Sequence, residues 1–356
     1  MTQALDLSKN WIIYANLLER QAAEELALCI SCLRKNAGAK ALSPPIYELQ
    51  GTEHSVLHNS MPVIVMKAAA ESPDKNGFSW NFSGDKIKIS GDSPRGLWNG
   101  LFDFLSALGF KWPAAGQEEL PQAADSSGSD SLFYALSKAS ENCPSSFSMQ
   151  EDAGERARLR RRLFIDKKMG RGEKEELVKW AARNKYDALV FSMAEKSFWA
   201  SSGTMYGAKK FAFVIEAGGK DLPLLLPRVL FVLSPGMFRM EKGRRTPRYN
   251  FCPTNPKTIS AVMKKCRDLF NSVAGSLSAP KVFHLLPSIG SEYMWCNCPA
   301  CRAFSPNEQY IIAVKTAAAE LFEIDPAAQL SFFDFASKDS AESNSIPPQE
   351  NMFLLN

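Results

Sequence analysis

The chain is short of histidine, of cysteine, of net charge and of long apolar runs. Three histidines and eight cysteines in 356 residues leave few groups for metal or nucleophilic chemistry, and eight unevenly spaced cysteines do not form a disulfide scaffold. Forty-two Lys and Arg against thirty-eight Asp and Glu give +4, too small an excess to imply a nucleic-acid partner. The most apolar stretch, DLPLLLPRVLFVLSPGMF, is cut by Pro223, Pro227, Arg228 and Pro235, which excludes a membrane helix and suits a buried strand with turns. No basic segment leads into a long apolar one at the N-terminus, so the expected location is cytoplasmic, with export only if that terminus is incomplete.

What is present is an ordinary globular composition, 45% apolar and 22% charged, in a chain long enough for two domains. Residues 1–121 read as a small α+β domain. A short strand at Trp11 to Tyr14 precedes a helix with Ala22, Leu26, Cys29 and Leu33 on one stripe, closed by Lys35 and Gly38. Cys29 and Cys32 lie inside that helical pattern, where packed thiols are favoured over a redox pair. A strand follows at Met61 to Lys67. In FSWNFSGDKIKISG, Ile87 and Ile89 face one side and Lys86 and Lys88 the other. A helix then carries Leu97, Leu101, Leu105 and Leu108, with Gly109 placed to end it and SPRG read as the turn at its entrance.

Residues 122–156 are rich in Ser, Gly and acidic side chains and read as a linker or surface excursion. The run Arg156, Arg158, Arg160, Arg161 and Arg162 is expected to be a solvated rim. From 157 to 356, strands and helices alternate: RLFID, DALVFSM, FAFVIEAGG, KVFHLLP and QLSFFDFA, separated by amphipathic segments. Continuously apolar strands joined by crossover helices define a parallel sheet covered on both faces. Five strands suit an open sheet or a barrel, and the polar residues after Asp334 are too few for a full eight-stranded one. The expected class is therefore α/β, with a small N-terminal α+β domain and a partial or truncated TIM-like (β/α) barrel.

Behind the KVFHLLP strand lies WCNCPAC, with Cys296, Cys298 and Cys301, and Cys252 stands in NFCPTNP after the neighbouring strand. Four thiolates could close a structural zinc site bracing two loops, but the C-x-C-x-x-C spacing fits packed free thiols or a disulfide as well. A hydrolytic zinc, which keeps an open position and usually has His or carboxylate ligands, is not expected. His284, between Phe283 and Leu285, reads as a satisfied core histidine.

Two stretches, ERQAAEELALCISCLRKNAG and IKISGDSPRGLWNGLFDFLSALGFKWPAAGQEELP, resemble the accessory domain that precedes the barrel in bacterial α-glucuronidases and hexosaminidases. SPGMFRMEKGRR, NFCPTNP and MWCNCPACRA with PNEQYIIAVKTAAAELF resemble an uncharacterised glycoside-hydrolase-like domain often joined to it. These pieces cover roughly two thirds of the chain. The resemblance implies a barrel whose strand ends face a glycan. It also departs from that pattern: Ser288 stands where an acidic residue is expected, and Glu216 to Gly219 replaces a Gly-His pair. Glycoside hydrolysis needs two carboxylates across the sugar. The strand-end candidates are Glu216, Glu292 and Asp334, with Asp166 a fourth, and Tyr293 and Trp295 offer flat faces for a sugar ring. The expected function is a carbohydrate-related protein of weak or absent activity. An active glycosidase and a non-enzymatic protein-binding module are the alternatives.

Overall fold

In the computed structural model, the described residues are 4–49, 61–69, 76–121, 133–135, 160–166, 168–195, 203–274, 280–288, 294–333 and 346–355. The chain divides into two compact units, each assembled from three segments. The first comprises 1–150, 170–187 and 206–214, and the second 151–169, 188–205 and 215–356.

The first unit opens with β1 (Ala4–Asp6) and β2 (Ile12–Tyr14), then α1 (Arg20–Asn36), β3 (Ile46–Tyr47), β4 (Val63–Ala68), β5 (Phe78–Ser83) and β6 (Lys86–Gly91). Helix α2 (Pro94–Ala107) and β7 (Phe133–Ala135) follow. The sheet order is β3-β2-β4-β6-β5, parallel except for the β5–β6 hairpin, while β1 and β7 pair antiparallel. Apart from β7, the segment read as a linker lies outside the described residues.

Sequence periodicity accounts for these elements. Ile87 and Ile89 are fully buried on the face of β6 that Lys86 and Lys88 leave. On α1 the buried stripe is Ala22, Leu26, Ile30 and Leu33, widened by Ala23 and Ala27. Cys29 sits half-buried at its margin, and burial followed by the charge of Glu25 pushes its thiol up, the opposite of an activated pair. Helix α2 starts where Ser93 Oγ accepts from Gly96 N at 3.0 Å with Pro94 in the first turn, and stops before Gly109 at φ +103°. Gly96 is demanded by sterics, since a Cβ there would lie 2.4 Å from the Gly77 carbonyl oxygen.

Arg95, read as part of an entrance turn, is instead a buried tie. It is 1% exposed, and its guanidinium lies 4.3 Å from the centre of the Phe213 ring. Nη2 donates to the Ala182 carbonyl and Nη1 to the Phe211 carbonyl, each at 3.2 Å. Those acceptors sit at the C-terminal ends of α3 (Arg171–Arg183) and α4 (Gly203–Lys210), where carbonyls lack intrahelical donors and the helix dipole favours a cation. Burial draws the Arg95 pKa down to about 9, against the pull of Asp187, and the group stays cationic at neutral pH.

The second unit is a six-stranded, wholly parallel sheet. Its strands are β8 (Arg162–Ile165), β9 (Ala188–Phe191), β10 (Val214–Gly219), β13 (Val282–Leu285), β14 (Gln329–Phe332) and β15 (Met352–Leu354), ordered β15-β14-β13-β10-β9-β8. The long β10–β13 connection holds α5 (Leu230–Leu233), the hairpin β11 (Met240–Glu241) and β12 (Arg244–Arg245), and α6 (Pro256–Ala274). Helix α7 (Pro306–Ile324) joins β13 to β14. All residues of β9 and β13 are buried, the apolar run of β9 being unbroken and that of β13 interrupted only by His284. Outward-facing Phe283 meets Phe270 of α6 edge-on at 5.1 Å.

One sequence expectation is corrected. The FAFVIEAGG strand begins at Val214, because Phe211 closes the turn after α4 and its amide bonds back to Gly207. The tail after Asp334, read as too short for the further βα units of a full barrel, supplies one strand, β15, whose Met352 and Phe353 are buried and pair in register with Leu330 and Ser331. The sheet also curls: the guanidinium of Arg162, on one edge strand, lies 5.7 Å from the ring of Phe353, on the other. The chain is thus a small mixed α/β N-terminal domain followed in sequence by a partial TIM-like barrel. No helix among the described residues is long and apolar enough to cross a membrane.

Replacing Arg95 by Met would keep the bulk but remove the donor to the Phe211 carbonyl, whereas the Ala182 carbonyl keeps Lys185 N at 3.1 Å. We expect a loss of about 2 kcal/mol in urea unfolding, at about 1–3 kcal/mol per unsatisfied group; a change under about 0.5 kcal/mol would contradict the tie.

Candidate functional site

Parallel strands in register turn equivalent residues to the same face. The register Gly218–His284 and His284–Ser331–Phe353 therefore lines one face with His284, Ser331 and Phe353. Glu216, two residues before Gly218, and Arg162 complete a polar layer on the inside of the curl. Glu216, His284 and Ser331 are all 0% exposed.

The layer is closed by hydrogen bonds. Arg162 Nε donates to Glu216 Oε2 at 2.6 Å, its Nη2 to Oε1 at 3.3 Å, and Arg160 Nη1 to Oε1 at 3.0 Å. His284 Nε2 lies 2.8 Å from Glu216 Oε2, and Nδ1 lies 2.6 Å from Ser331 Oγ. An ionised carboxylate only accepts, so Nε2–H donates to Glu216 and Nδ1 accepts the Ser331 hydroxyl proton. Burial alone would raise the Glu216 pKa. The His284 hydrogen bond and the charges of Arg162 and Arg160 outweigh it and hold the carboxyl at about 2. Burial lowers the His284 pKa, and the two arginines add to this against the pull of Glu216, so the imidazole is neutral.

Of the three carboxylates proposed for catalysis, Glu216 alone is described; Glu292 and Asp334 lie outside the described residues, as does Tyr293. Glu216 is ionised and enclosed, which makes it unsuited to donate a proton as a general acid. Trp295 is 6% exposed and tilts against buried Tyr310 at 6.2 Å, a core ring and not an open platform. Asp166 is exposed at the carboxyl end of β8, its Oδ1 accepting from Lys168 N. The solvated-rim expectation fails for Arg160 and Arg162, whose side chains are 12% and 4% exposed because Glu216 draws both inward. Alternation along RRLFID was the available signal: Arg162 shares its strand face with Phe164.

The second constellation is the four cysteines, all buried, whose sulfurs lie within 4.8 Å of one another. Cys252 Sγ is 3.6 Å from Cys301 and 3.8 Å from Cys298, too far for a disulfide. Tetrahedral sulfurs 2.3 Å from one zinc would be about 3.8 Å apart. Cys252 comes from the β10–α6 connection and the other three from the β13–α7 connection, so the cluster clasps the two loops at neighbouring strand ends. Met240 N donates to Cys296 Sγ at 3.3 Å, with Arg245 Nη1 at 3.6 Å, contacts that favour thiolate. Hydrogen bonds from Cys296 and Cys301 lower the Cys252 pKa. The proton shared with Cys252 in turn pushes Cys296 up to about 11 and raises Cys301 as well. One thiolate therefore forms readily, whereas four together need a cation. Gln309 of α7 fixes the loop, accepting from Cys296 N at 3.0 Å and donating to the carbonyls of Cys296 and Phe304 at 3.2 Å each. Four cysteines able to coordinate a metal ion are thus in place.

Among solved structures, the chain is similar to the GH20 β-N-acetylhexosaminidase from Streptomyces coelicolor A3(2), with a TM-score of 0.53 at 11% identity. It is also similar to the chitobiase from Flavobacterium johnsoniae, with a TM-score of 0.54 at 13% identity. Both alignments cover 99% of this chain, but only 66% and 52% of those chains. These likenesses show a shared fold. No family model matches the sequence, and no curated protein does.

The buried layer carries a pH dependence. Glu216 has a folded pKa depressed from 4.5 to about 2, so its contribution is present above pH 4.5 and is lost as the pH falls towards 2. His284, also depressed, refuses a proton that the unfolded chain takes up near its model value of 6.5, which destabilises in the same direction from that pH downward. We expect the melting temperature to fall on acidification from pH 6.5, with on the order of 3 kcal/mol lost through Glu216. Glu216→Gln should flatten the slope between pH 5 and pH 3, and parallel slopes for the two proteins would refute the assignment.

Proposed function

We propose that this chain is a carbohydrate-binding protein on a glycosidase scaffold, with little or no hydrolytic activity, braced by one structural zinc ion. The observation that carries the reading is the condition of Glu216. A glycosidase needs one carboxyl held protonated and a second held ionised, with the sugar between them. Glu216 is ionised, inaccessible and committed to Arg160, Arg162 and His284. Its partners hold the curled sheet together and leave no place for a glycosidic oxygen beside it. The glycosidase likeness and the location of the strand ends support glycan binding, since open faces of parallel sheets take their ligands at the carboxyl ends.

Zinc is supported by the donor set and its spacing. Four sulfurs within 4.8 Å of one another, with no imidazole or carboxylate among them, suit a closed structural site without the open position that catalysis uses. Bound there, the ion would hold the β10–α6 and β13–α7 loops together and take no part in chemistry.

Two measurements test these readings. Release of nitrophenol from aryl N-acetyl-β-glucosaminides should stay near background. Release at ordinary enzymatic rates, abolished by Glu292→Gln or Asp334→Asn in folded protein, would restore an active glycosidase. Elemental analysis of freshly purified reduced protein should give one zinc per chain, and Cys298→Ser should lower both zinc content and melting temperature. Metal-free protein of unchanged stability would remove zinc and leave packed thiols.

A further inference from the structure

The most apolar stretch of the chain, from Asp221 to Phe238, is not the buried strand with turns that its composition suggests. Pro227 and Pro235 interrupt it, and between them it forms a single helical turn, α5. On either side the chain is core, with Leu225, Leu226 and Phe238 fully buried. Within the turn the pattern reverses. Val229, Val232 and Leu233 share one helix face at spacings of three and four, and they are 73%, 82% and 80% exposed. Phe231 instead meets buried Phe238 edge-on at 5.3 Å, an anchor that fixes which face looks outward. Single exposed apolar residues are ordinary, but three large ones standing in water side by side mark a surface made for contact.

The surroundings of this face carry one sign of charge. Between Leu222 and Asn250 there are six Lys and Arg against one acid, Glu241, and Arg239 Nη2 donates to its Oε2 at 2.7 Å. Arg228, next to Val229, donates from Nη2 to the Tyr249 carbonyl, which brings exposed Arg248 alongside the start of α5. Exposed Lys242 and Arg244 stand at the tip of the β11–β12 hairpin, which begins two residues after Phe238. Among the described residues, no carboxylate pairs with Lys242, Arg244 or Arg248.

We propose that α5 docks this chain on an anionic lipid surface. The turn lies at headgroup level, with Val229, Val232 and Leu233 directed into the acyl boundary and the neighbouring cations on the lipid phosphates. A second copy is disfavoured, because a two-fold contact through this face would set the same cations against one another. A stable protein interface buries roughly 800 Å² and about 20–30 residues a side, far more than one helical turn presents. A bilayer needs no matching groove to take protruding apolar side chains. Such docking is separate from glycan binding, and either can fail without the other.

Co-sedimentation of the full chain with vesicles tests this. Vesicles of phosphatidylcholine containing phosphatidylglycerol at about one part in three should bind the chain, and phosphatidylcholine alone should not. Binding should fall as salt rises, since the Debye length shortens from about 10 Å at 0.1 M to about 3 Å at 1 M. Val232→Ser with Leu233→Ser should weaken binding about tenfold or more, and so should Arg244→Gln with Arg248→Gln. All four positions are exposed, so circular dichroism and melting temperature should be unchanged. Leu17→Ser with Leu18→Ser, which alters two exposed leucines of the first unit, should leave vesicle binding as it was. Equal binding by the Val232→Ser, Leu233→Ser variant would overturn the docking. Failure of the unaltered chain to sediment with anionic vesicles at low salt would overturn it as well, and leave the face to a protein partner. A dimer in sedimentation velocity that the same double variant abolishes would assign the face to a second copy instead.

Discussion

One carboxylate organises the inside of the second unit. A buried Glu216 without partners would cost several kcal/mol and would protonate. Two guanidiniums and an imidazole N–H keep it ionised, and the arrangement ties three strands together across the intervening β9: β8 through Arg162, β10 through Glu216 itself, and β13, the neighbour of β10, through His284. Ser331 extends the chain to β14, and the Arg162–Phe353 contact reaches β15. Hydrophobic packing outside the sheet, from α6 and α7, is non-directional and tolerates several curvatures. The charged layer does not, since each bond in it has a length and a direction. The curl of the sheet is thus set from within.

Architecture was more legible in the sequence than chemistry, and particular residues show why. Ile87 and Ile89, or the unbroken ALVF of β9, announce their burial through period and composition, which are local properties. Arg162 gave only the faint alternation along RRLFID, and Arg160 gave nothing. In the text both belong to a run of five arginines, and their three-dimensional neighbour 54 to 56 residues away is what separates them from solvated charge. Strand β15 was missed for a related reason: three residues in a polar tail carry too little periodicity, and their burial comes from pairing with β14. The cysteine cluster was easier to see because three of its four members, Cys296, Cys298 and Cys301, stand close together in sequence, and the fourth, Cys252, follows the adjacent strand. Glu292, Tyr293 and Asp334 were named from position alone and lie outside the described residues.

Position in the barrel also bears on the four cysteines. They lie in connections at the carboxyl ends of parallel strands, which are free to vary without disturbing the sheet. A four-thiol clasp on the β10–α6 and β13–α7 loops restricts how far that rim can rearrange, and Gln309 repeats the restraint with side-chain amide bonds.

Arg95 has a consequence for the order in which the molecule is made. Its two acceptors, the carbonyls of Ala182 and Phe211, lie 87 and 116 residues downstream. During synthesis from the N-terminus, the first sheet and its helices emerge well before either carbonyl exists. The guanidinium must wait in a partly built unit until the ribosome has passed both, and one more excursion through β9 intervenes before Phe211 arrives. At about 5–20 residues per second this interval lasts seconds, long compared with helix or hairpin formation. The N-terminal unit is therefore begun first but completed only after strands β8 and β9 of the second unit have been made, and a nascent chain halted between the two carbonyls would present its Arg95 site half assembled to whatever chaperone or neighbour is at hand.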